Sequence, residues 1–445
     1  FLINAAGGTI AGRPVYQSIK DIDQAVDLAV VTIPAAGVID LIPDLQAKGI
    51  NSVLLITSGF GETDQDGKDM EKELVQSARK AGIQILGPNT MGICNPHAQL
   101  NCTSLPVKPR PGSTTLVSQS GNMGTQFLAF AEQQGIGIRG FCGSGNEAMT
   151  TIEDLLEILE EDPLTRTVLL YIESVKDGRR FFESARRVGC KKPIVLMKGG
   201  QSEAGTKAAS SHTGALSTDS RIFNAVCRQS GIVKVEHSMD LLDLAGAFSS
   251  LPLPCGNRTA IMTLGGGWGV VTADLCNANG LEVPDLSEEI IRKIDQWLPP
   301  YWSRSNPIDL VGEPDRDLPV KIIETLLQWD GCDAVINLGI MGRKHLAGQY
   351  FDAVMTADPD YGADFLLSRK TALIENEEQY VQQVDDLMAQ YQTPVIGVSL
   401  LTDEKDRTIY MADNAEYKGV FYNTPERAVK TLSKMFTYYK FTCID

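Results

Sequence analysis

The sequence predicts an α/β chain of three successive units, and three observations carry that prediction. Short runs rich in Val, Ile and Leu alternate with longer amphipathic segments, the pattern of β-α-β units around a parallel sheet. Glycine and proline fall immediately after the apolar runs, at the sheet edge where such folds hold ligands. Proline-rich interruptions at 103–112 and at Leu251-Pro252-Leu253-Pro254-Cys255-Gly256 divide the chain into 1–108, 109–254 and 255–445.

In the first stretch, residues 26–33 are a strand candidate, followed by Pro34-Ala35-Ala36 and a helix to Gln46. A second strand at 52–57 ends on Ser58-Gly59-Phe60-Gly61-Glu62. A polar helix over 67–81 leads to a third strand at 83–86 and the turn Gly87-Pro88-Asn89. The second stretch opens with a strand at 113–117, the loop Ser118-Gln119-Ser120-Gly121-Asn122-Met123-Gly124 and a helix to Gln134. Strands at 136–142, 167–172 and 193–197 then alternate with helices at 151–159 and 179–188, and a helix at 239–250 closes the stretch. The third has a strand at 259–264, the turn Gly265-Gly266-Gly267-Trp268-Gly269 and a helix to Ala278. Strands at 334–339, 371–374 and 395–399 and a final helix at 427–441 complete it. The units are alike in pattern, without a sequence repeat.

Lys and Arg number 40 against 56 Asp and Glu, a formal charge of −16. That balance argues against a nucleic-acid partner, which needs a basic stripe. It leaves room for a small anion, because helix N-termini and local cations bind phosphate inside acidic proteins. The nine cysteines contain no CxxC spacing and several lie in or beside apolar runs, as reduced core or near-core residues of a cytoplasmic protein do. No apolar run reaches membrane-spanning length, so no membrane partner is expected. Phe1 already lies inside an apparent strand, which implies an earlier segment.

The phrase Ser210-Ser211-His212-Thr213-Gly214-Ala215-Leu216 sets one of only four histidines among small residues. Packing gives little reason for an imidazole there, whereas a phosphoryl group can reach it and neighbouring hydroxyls and backbone N–H groups can hold the phosphoryl oxygens. Two readings stand side by side: a covalent phosphate carrier, or a loop histidine without chemistry. The strand-to-helix loop Ser118-Gln119-Ser120-Gly121 suits a phosphate cradle, but lacks the Lys-Ser or Lys-Thr ending of an ATP-binding P-loop. Gly265 to Gly269 is similar, and tight packing explains it equally. Glu173 ends an apolar strand and is either a carboxylate that fixes a histidine tautomer or a solvated strand end. Glu147 and Asp154 are candidates to line the same cleft. His97, His237 and His345 read as turn, structural or surface residues. No spacing indicates a dedicated metal site.

Together these landmarks resemble the CoA-binding, phosphohistidine-bearing part of the ADP-forming acyl-CoA synthetases, which are similar to the alpha subunit of succinyl-CoA ligase with a further domain. The resemblance runs through the strand Val26-Asp27-Leu28-Ala29-Val30 with Pro34, Ser58-Gly59-Phe60, and Gly87-Pro88-Asn89 with Gly92. It continues through Ser118-Gln119-Ser120-Gly121, Gly145-Asn146, and Lys198-Gly199-Gly200 on to Ser211-His212-Thr213-Gly214-Ala215. Asn306-Pro307-Ile308-Asp309-Leu310 also fits, and nearly the entire chain is covered.

The resemblance implies a Rossmann-like CoA-binding domain followed by two flavodoxin-like domains. It further implies a ping-pong reaction: acyl-CoA and phosphate give acyl phosphate and CoA, and the phosphoryl group passes to His212 and then to ADP. On this pattern Pro34, Ser58, Gly59, Phe60, Pro88 and Asn89 face CoA. Ser118, Gln119, Ser120, Gly121, Gly145, Asn146, Ser211, Thr213 and Gly214 meet phosphate and substrate, and Glu173 supports the phosphohistidine. ATP or ADP with Mg2+ would come through an ATP-grasp domain or beta-type subunit, and an oligomer is expected. The chain departs from the pattern in three ways: it begins after the family's first glycine-containing turn, has Thr90 where Cys is usual, and carries no ATP-grasp module. Three alternatives remain open: a non-catalytic acyl-CoA-sensing or scaffold module, a piece of a protein-acetyltransferase fusion, and an NAD-binding oxidoreductase. The last rests on fold pattern alone.

Overall fold

The computed structural model describes residues 1–205, 207, 219–313, 315–358, 362–399, 406–411 and 416–443. The chain divides into two compact units, 1–130 with 137–236 and 131–136 with 237–445.

The first unit opens with a small sheet in the order β1 (Leu2–Ile3), β3 (Arg13–Tyr16), β2 (Thr9–Ile10). A parallel sheet follows from β4 (Leu28–Val31), β5 (Ser52–Leu55) and β6 (Gln84–Leu86). Helix α1 (Val38–Ala47) buries Val38, Ile42 and Leu45, one face at helical spacing. Helix α2 (Gln65–Ala81) starts where the Asp64 carboxylate accepts the Gly67 N–H and stops at left-handed Gly82, φ 70°. Leu55, Phe60, Leu74 and Ile85 fill the space between sheet and helices.

The unit's larger sheet has the order β13-β12-β11-β9-β10-β7-β8. Its strands are β7 (Gly92–Asn95), β8 (Leu100–Thr103), β9 (Pro111–Ser118), β10 (Ile138–Gly143), β11 (Thr167–Ile172), β12 (Ile194–Lys198) and β13 (Ile232–Val235). Strands β9 to β13 are parallel, and every residue of β11 is buried, which is why its sequence is apolar without alternation. Helices α3 (Gly121–Gln134), α4 (Ile152–Glu161) and α5 (Gly178–Lys191) follow β9, β10 and β11. Ile152, Leu156, Phe181, Ala185 and Val188 join the core, while Arg180 bridges Asp154 and Glu157 at 2.7 and 2.6 Å outside it.

The hairpin β7–β8 is absent from the sequence reading, which treats 103–112 as a linker. The hairpin lies within the stretch expected to form the first domain, yet β7 pairs antiparallel with β10. Its strands are four residues long and partly polar, so they carry little periodic signal.

The second unit holds a sheet in the order β15-β14-β16-β17-β19-β18. The strands are β14 (Thr259–Thr263), β15 (Ile308–Asp309), β16 (Ala334–Leu338), β17 (Val395–Val398), β18 (Ile409–Tyr410) and β19 (Gly419–Tyr422), parallel except β18. One expectation is corrected here: residues 371–374 are not a strand but lie inside the helix Ala363–Tyr391. A short apolar run cannot separate strand from helix by period, and Thr371 and Ile374 are exposed, unlike a strand inside a parallel sheet.

All nine cysteines are free thiols; Cys94, Cys227, Cys276 and Cys332 are buried, but Cys190, Cys255 and Cys443 are exposed rather than core residues. Among the described residues no helix is long and apolar enough to cross a membrane.

Candidate functional site

Strand β9 lies between β10 and β11, so successive connections leave it in opposite directions. This is the switch point of an open parallel sheet, where loops separate and a crevice opens at the carboxyl edge. The loops after β9, β10, β11 and β12 meet there. Ser144 donates its N–H to the Ser118 carbonyl at 2.9 Å, Gln119 to Tyr171 at 3.0 Å, and Gly199 to Ile172 at 2.8 Å.

Gln119 is the centre of this crossing. Its side-chain oxygen accepts the N–H groups of Glu173 (2.5 Å) and Ser174 (2.9 Å). Its amide nitrogen donates to the Ser174 carbonyl and to Glu147 Oε1, both at 2.9 Å. Glu147 also accepts the Ser144 hydroxyl at 2.7 Å on that same oxygen, while its Oε2 is buried without a hydrogen-bond partner. The residue is 3% exposed, at a left-handed φ of 55°. Burial pushes its carboxyl up to about 7; the bonds from Gln119 and Ser144 oppose the shift, and the charge of Glu153 adds to it. Glu153 is itself buried, with Oε1 accepting the Asp177 N–H at 3.2 Å and Oε2 unpartnered. Asp154, expected to line the cleft, instead accepts the Thr151 N–H at the start of α4 and pairs with Arg180.

Glu173 stands at the end of β11. The Tyr171 hydroxyl donates to its Oε1 at 3.3 Å, and Lys198 Nζ donates to its carbonyl at 2.7 Å. Burial, helped by Glu173, pushes the Tyr171 phenol up to about 12; burial lowers the Lys198 ammonium, against the pull of Glu173. A Cβ on Gly199 would lie 2.7 Å from the Tyr171 hydroxyl oxygen and 3.2 Å from Glu173 Cγ, so this approach needs glycine. Ser118 is fully buried with its hydroxyl on the Ser120 carbonyl at 2.6 Å, while Ser120 and Gly121 are half-buried where α3 begins. Ser211, His212, Thr213 and Gly214 lie outside the described residues.

At the edge of the three-stranded sheet, Pro34 and Ser58 are exposed and Gly59 takes a φ of 103°. The Phe60 ring is fully buried in the core, and its N–H goes to Glu62. The N–H of Gly59 also goes to Glu62, and that of Gly61 to Glu71. Asn146 donates to both carboxylates, at 2.6 and 2.9 Å, and its side-chain oxygen accepts from Asn89 at 3.3 Å. Burial works against the Glu62 anion, but the bonds from Asn146, Gly59 and Phe60 hold its carboxyl below the usual range. Pro88 follows a cis peptide bond and its carbonyl accepts the Asn146 N–H at 3.0 Å. The fold thus brings Gly59, Phe60, Pro88, Asn89, Gly145 and Asn146 together, with Glu62 and Glu71 as organisers the sequence reading missed. Their signal was their position, directly after a glycine turn and on the following helix.

The exposed Ser58 hydroxyl and Pro34 ring, beside glycine turns at a parallel-sheet edge, fit an extended ligand such as CoA. The backbone donors of Gly59, Phe60 and Gly61 are already engaged, so side chains and carbonyls remain to meet it. A cavity of about 330 Å3 beside β4, lined by Phe1, Ile19, Val30, Leu41 and Asp44 among others, contains none of these residues. Among the described residues no group of three or more His, Cys, Asp or Glu is placed to hold a metal ion.

Comparison with known proteins matches three family models: a CoA binding domain over 1–96, a succinyl-CoA ligase like flavodoxin domain over 111–248, and a ligase-CoA domain over 259–343. The chain is 39% identical over 339 residues to the alpha subunit of ADP-forming acetate–CoA ligase II of Pyrococcus furiosus, covering 76% of this chain and 74% of that one. It is 35% identical over 445 residues to the alpha subunit of ligase I of the same organism, covering 98% and 89%. The structure of acetyl-coenzyme A synthetase 1 of Ca. Korarchaeum cryptofilum, in complex with phosphate and ADP, superposes with a TM-score of 0.81 at 27% identity, covering 99% and 89%.

Proposed function

The chain belongs to the family of ADP-forming acetate–CoA ligase alpha subunits, and from that premise we propose how its own residues carry the reaction. The protein is the alpha component of an ADP-forming acyl-CoA synthetase, reversibly converting a small carboxylic acid, CoA and ATP to acyl-CoA, ADP and phosphate. An ATP-grasp domain or beta-type subunit supplies the nucleotide with Mg2+. Residues 1–108 hold CoA, 109–254 carry the phosphohistidine, and 255–445 form the ligase-CoA domain. The compartment is cytoplasmic, which suits nine free thiols.

In the direction that makes ATP, a phosphate oxygen attacks the thioester carbonyl; the C–S bond breaks and CoA leaves as its thiolate. A ring nitrogen of His212 then attacks phosphorus, releasing the carboxylate, and ADP takes the phosphoryl group from the histidine. Ser120, Gly121 and the N-terminus of α3 hold phosphoryl oxygens by hydrogen bonds and dipole. Glu173 accepts the other N–H of the imidazole, fixing its tautomer and offsetting the charge that grows on it. Pro34, Ser58 and Asn89 line the CoA path, and Gly145 and Asn146 join that edge to the phosphate loop.

The observation that carries this reading is the anchoring of Glu173 against the loop after β9, at the switch point, by Gln119. Its test is acid-labile labelling from labelled phosphate with a panel of acyl-CoAs, or from ATP, Mg2+ and an ATP-grasp partner, in the parent and in His212→Asn. Label that appears in the parent and vanishes in the variant is expected. A parent that binds CoA but takes no label by either route would instead mark an acyl-CoA-sensing module.

A further inference from the structure

We propose that Glu147 is a positioning residue for phosphoryl transfer, setting the place of Glu173 through the side-chain amide of Gln119; this rests on the role given to Glu173 above. Three hydrogen-bonded steps make the link. The Ser144 hydroxyl holds Glu147 Oε1, that oxygen accepts Gln119 Nε2, and Gln119 Oε1 accepts the N–H groups of Glu173 and Ser174.

Glu147 reinforces the direction of the amide, together with the Ser174 carbonyl that shares Nε2. An amide has an acceptor end and a donor end, and the backbone of Glu173 and Ser174 presents two donors to it. Only the orientation with oxygen toward β11 satisfies them, and it sends Nε2 toward Glu147. Glu147 Oε1 accepts from Nε2 and so stabilises this orientation, as the oxygen of a glutamine in its place would. Glu173 can then turn about its side-chain bonds, but its backbone is clamped to the loop that begins α3.

The residue is costly to keep. It is almost fully buried, leaves one oxygen without a partner, and sits at a left-handed φ that a non-glycine residue seldom adopts. Unfavourable features of this kind persist where a site needs them.

The test uses the full chain with an ATP-grasp partner, ATP and Mg2+, reading the rate of His212 labelling at saturating nucleotide together with CoA affinity. Glu147→Ala and Gln119→Ala are each expected to slow labelling about tenfold or more with CoA affinity held within about twofold. The double variant is expected to be no slower than the slower single one, because both act through one bridge. Glu147→Gln is expected to recover most of the rate, since its side-chain oxygen still accepts from Gln119. Parent-like labelling by Glu147→Ala, multiplicative losses in the double variant, or a Glu147→Gln as slow as Glu147→Ala would each overturn the proposal. Should Glu147→Ala fail to fold, a fast Glu147→Gln beside a slow Gln119→Ala supports it, and any other pairing overturns it. A parent without label removes the phosphohistidine reading itself and this proposal with it, an outcome distinct from a loss confined to the variants.

Discussion

The side-chain oxygen of Gln119 accepts the backbone N–H of Glu173 at 2.5 Å, tying the loop that opens α3 to the end of the neighbouring strand β11. A single amide therefore joins the two loops to which we assign the phosphoryl chemistry, the one proposed to cradle oxygens and the one proposed to present a carboxylate. Every residue of β11 is buried, so the position of Glu173 at its end is inherited from the core. Sites supported in this way stay within the narrow tolerance that catalysis needs.

Glu173→Gln keeps the size of the side chain and its bond from Tyr171, but removes the negative charge. Phosphohistidine formation is expected to slow by on the order of 10² while CoA affinity stays within about twofold. Rapid-quench measurement of acid-labile label alongside calorimetric CoA binding checks this, and an unaltered labelling rate would remove Glu173 from the mechanism.

Glu147 makes the fold sensitive to pH. Burial pushes its carboxyl up to about 7 in the folded chain against 4.5 when unburied, with Cys142, Glu153 and Lys176 as the titratable groups that interact with it. Between those values the folded state holds a proton that the unfolded state has lost, so stability falls as pH rises from about 4.5 to about 7. The full cost above that window is about 3 kcal/mol. Urea unfolding at pH 4.5 and pH 8 should show the stability difference between Glu147→Gln and the parent moving by about that amount in the variant's favour. A difference that does not change with pH would contradict the raised ionisation.

Two glycines separate conformational strain from collision. Gly82 has a φ of 70° with nothing within 4 Å of an added Cβ, so Gly82→Ala should cost about 1 kcal/mol. Gly145 has a φ of 63°, and its Cβ would stand 2.3 Å from the Pro88 carbonyl oxygen and 2.7 Å from that of Asn89. Gly145→Ala should therefore cost clearly more, about 3 kcal/mol, because backbone must move as well. Equal urea midpoints for the two variants would refute the steric part of the argument.

Much of the fold was legible along the chain. The apolar runs at 52–57, 167–172 and 395–399 contain strands because a strand buried on both faces has no polar alternation to hide. The turns Ser58-Gly59, Gly87-Pro88 and Ser118-Gln119-Ser120-Gly121 were legible because their backbone demands are local. The hairpin β7–β8 and the helix through 371–374 were not, since a few residues of mixed polarity carry no decisive period.

Most of the order of elements, the main buried strands and the chemical kinds at their ends can be read along the chain. The tertiary structure alone decided that Gln119, Glu147 and Glu173 form one network, that Glu62 and Glu71 fill the backbone donors of the 59–61 turn, and that Asp154 serves a helix end instead of the cleft. Periodicity and turn preference act over neighbouring residues, so they can be read from the chain; a hydrogen-bond partner and the cost of burying a charge depend on which distant segments the fold brings around a group.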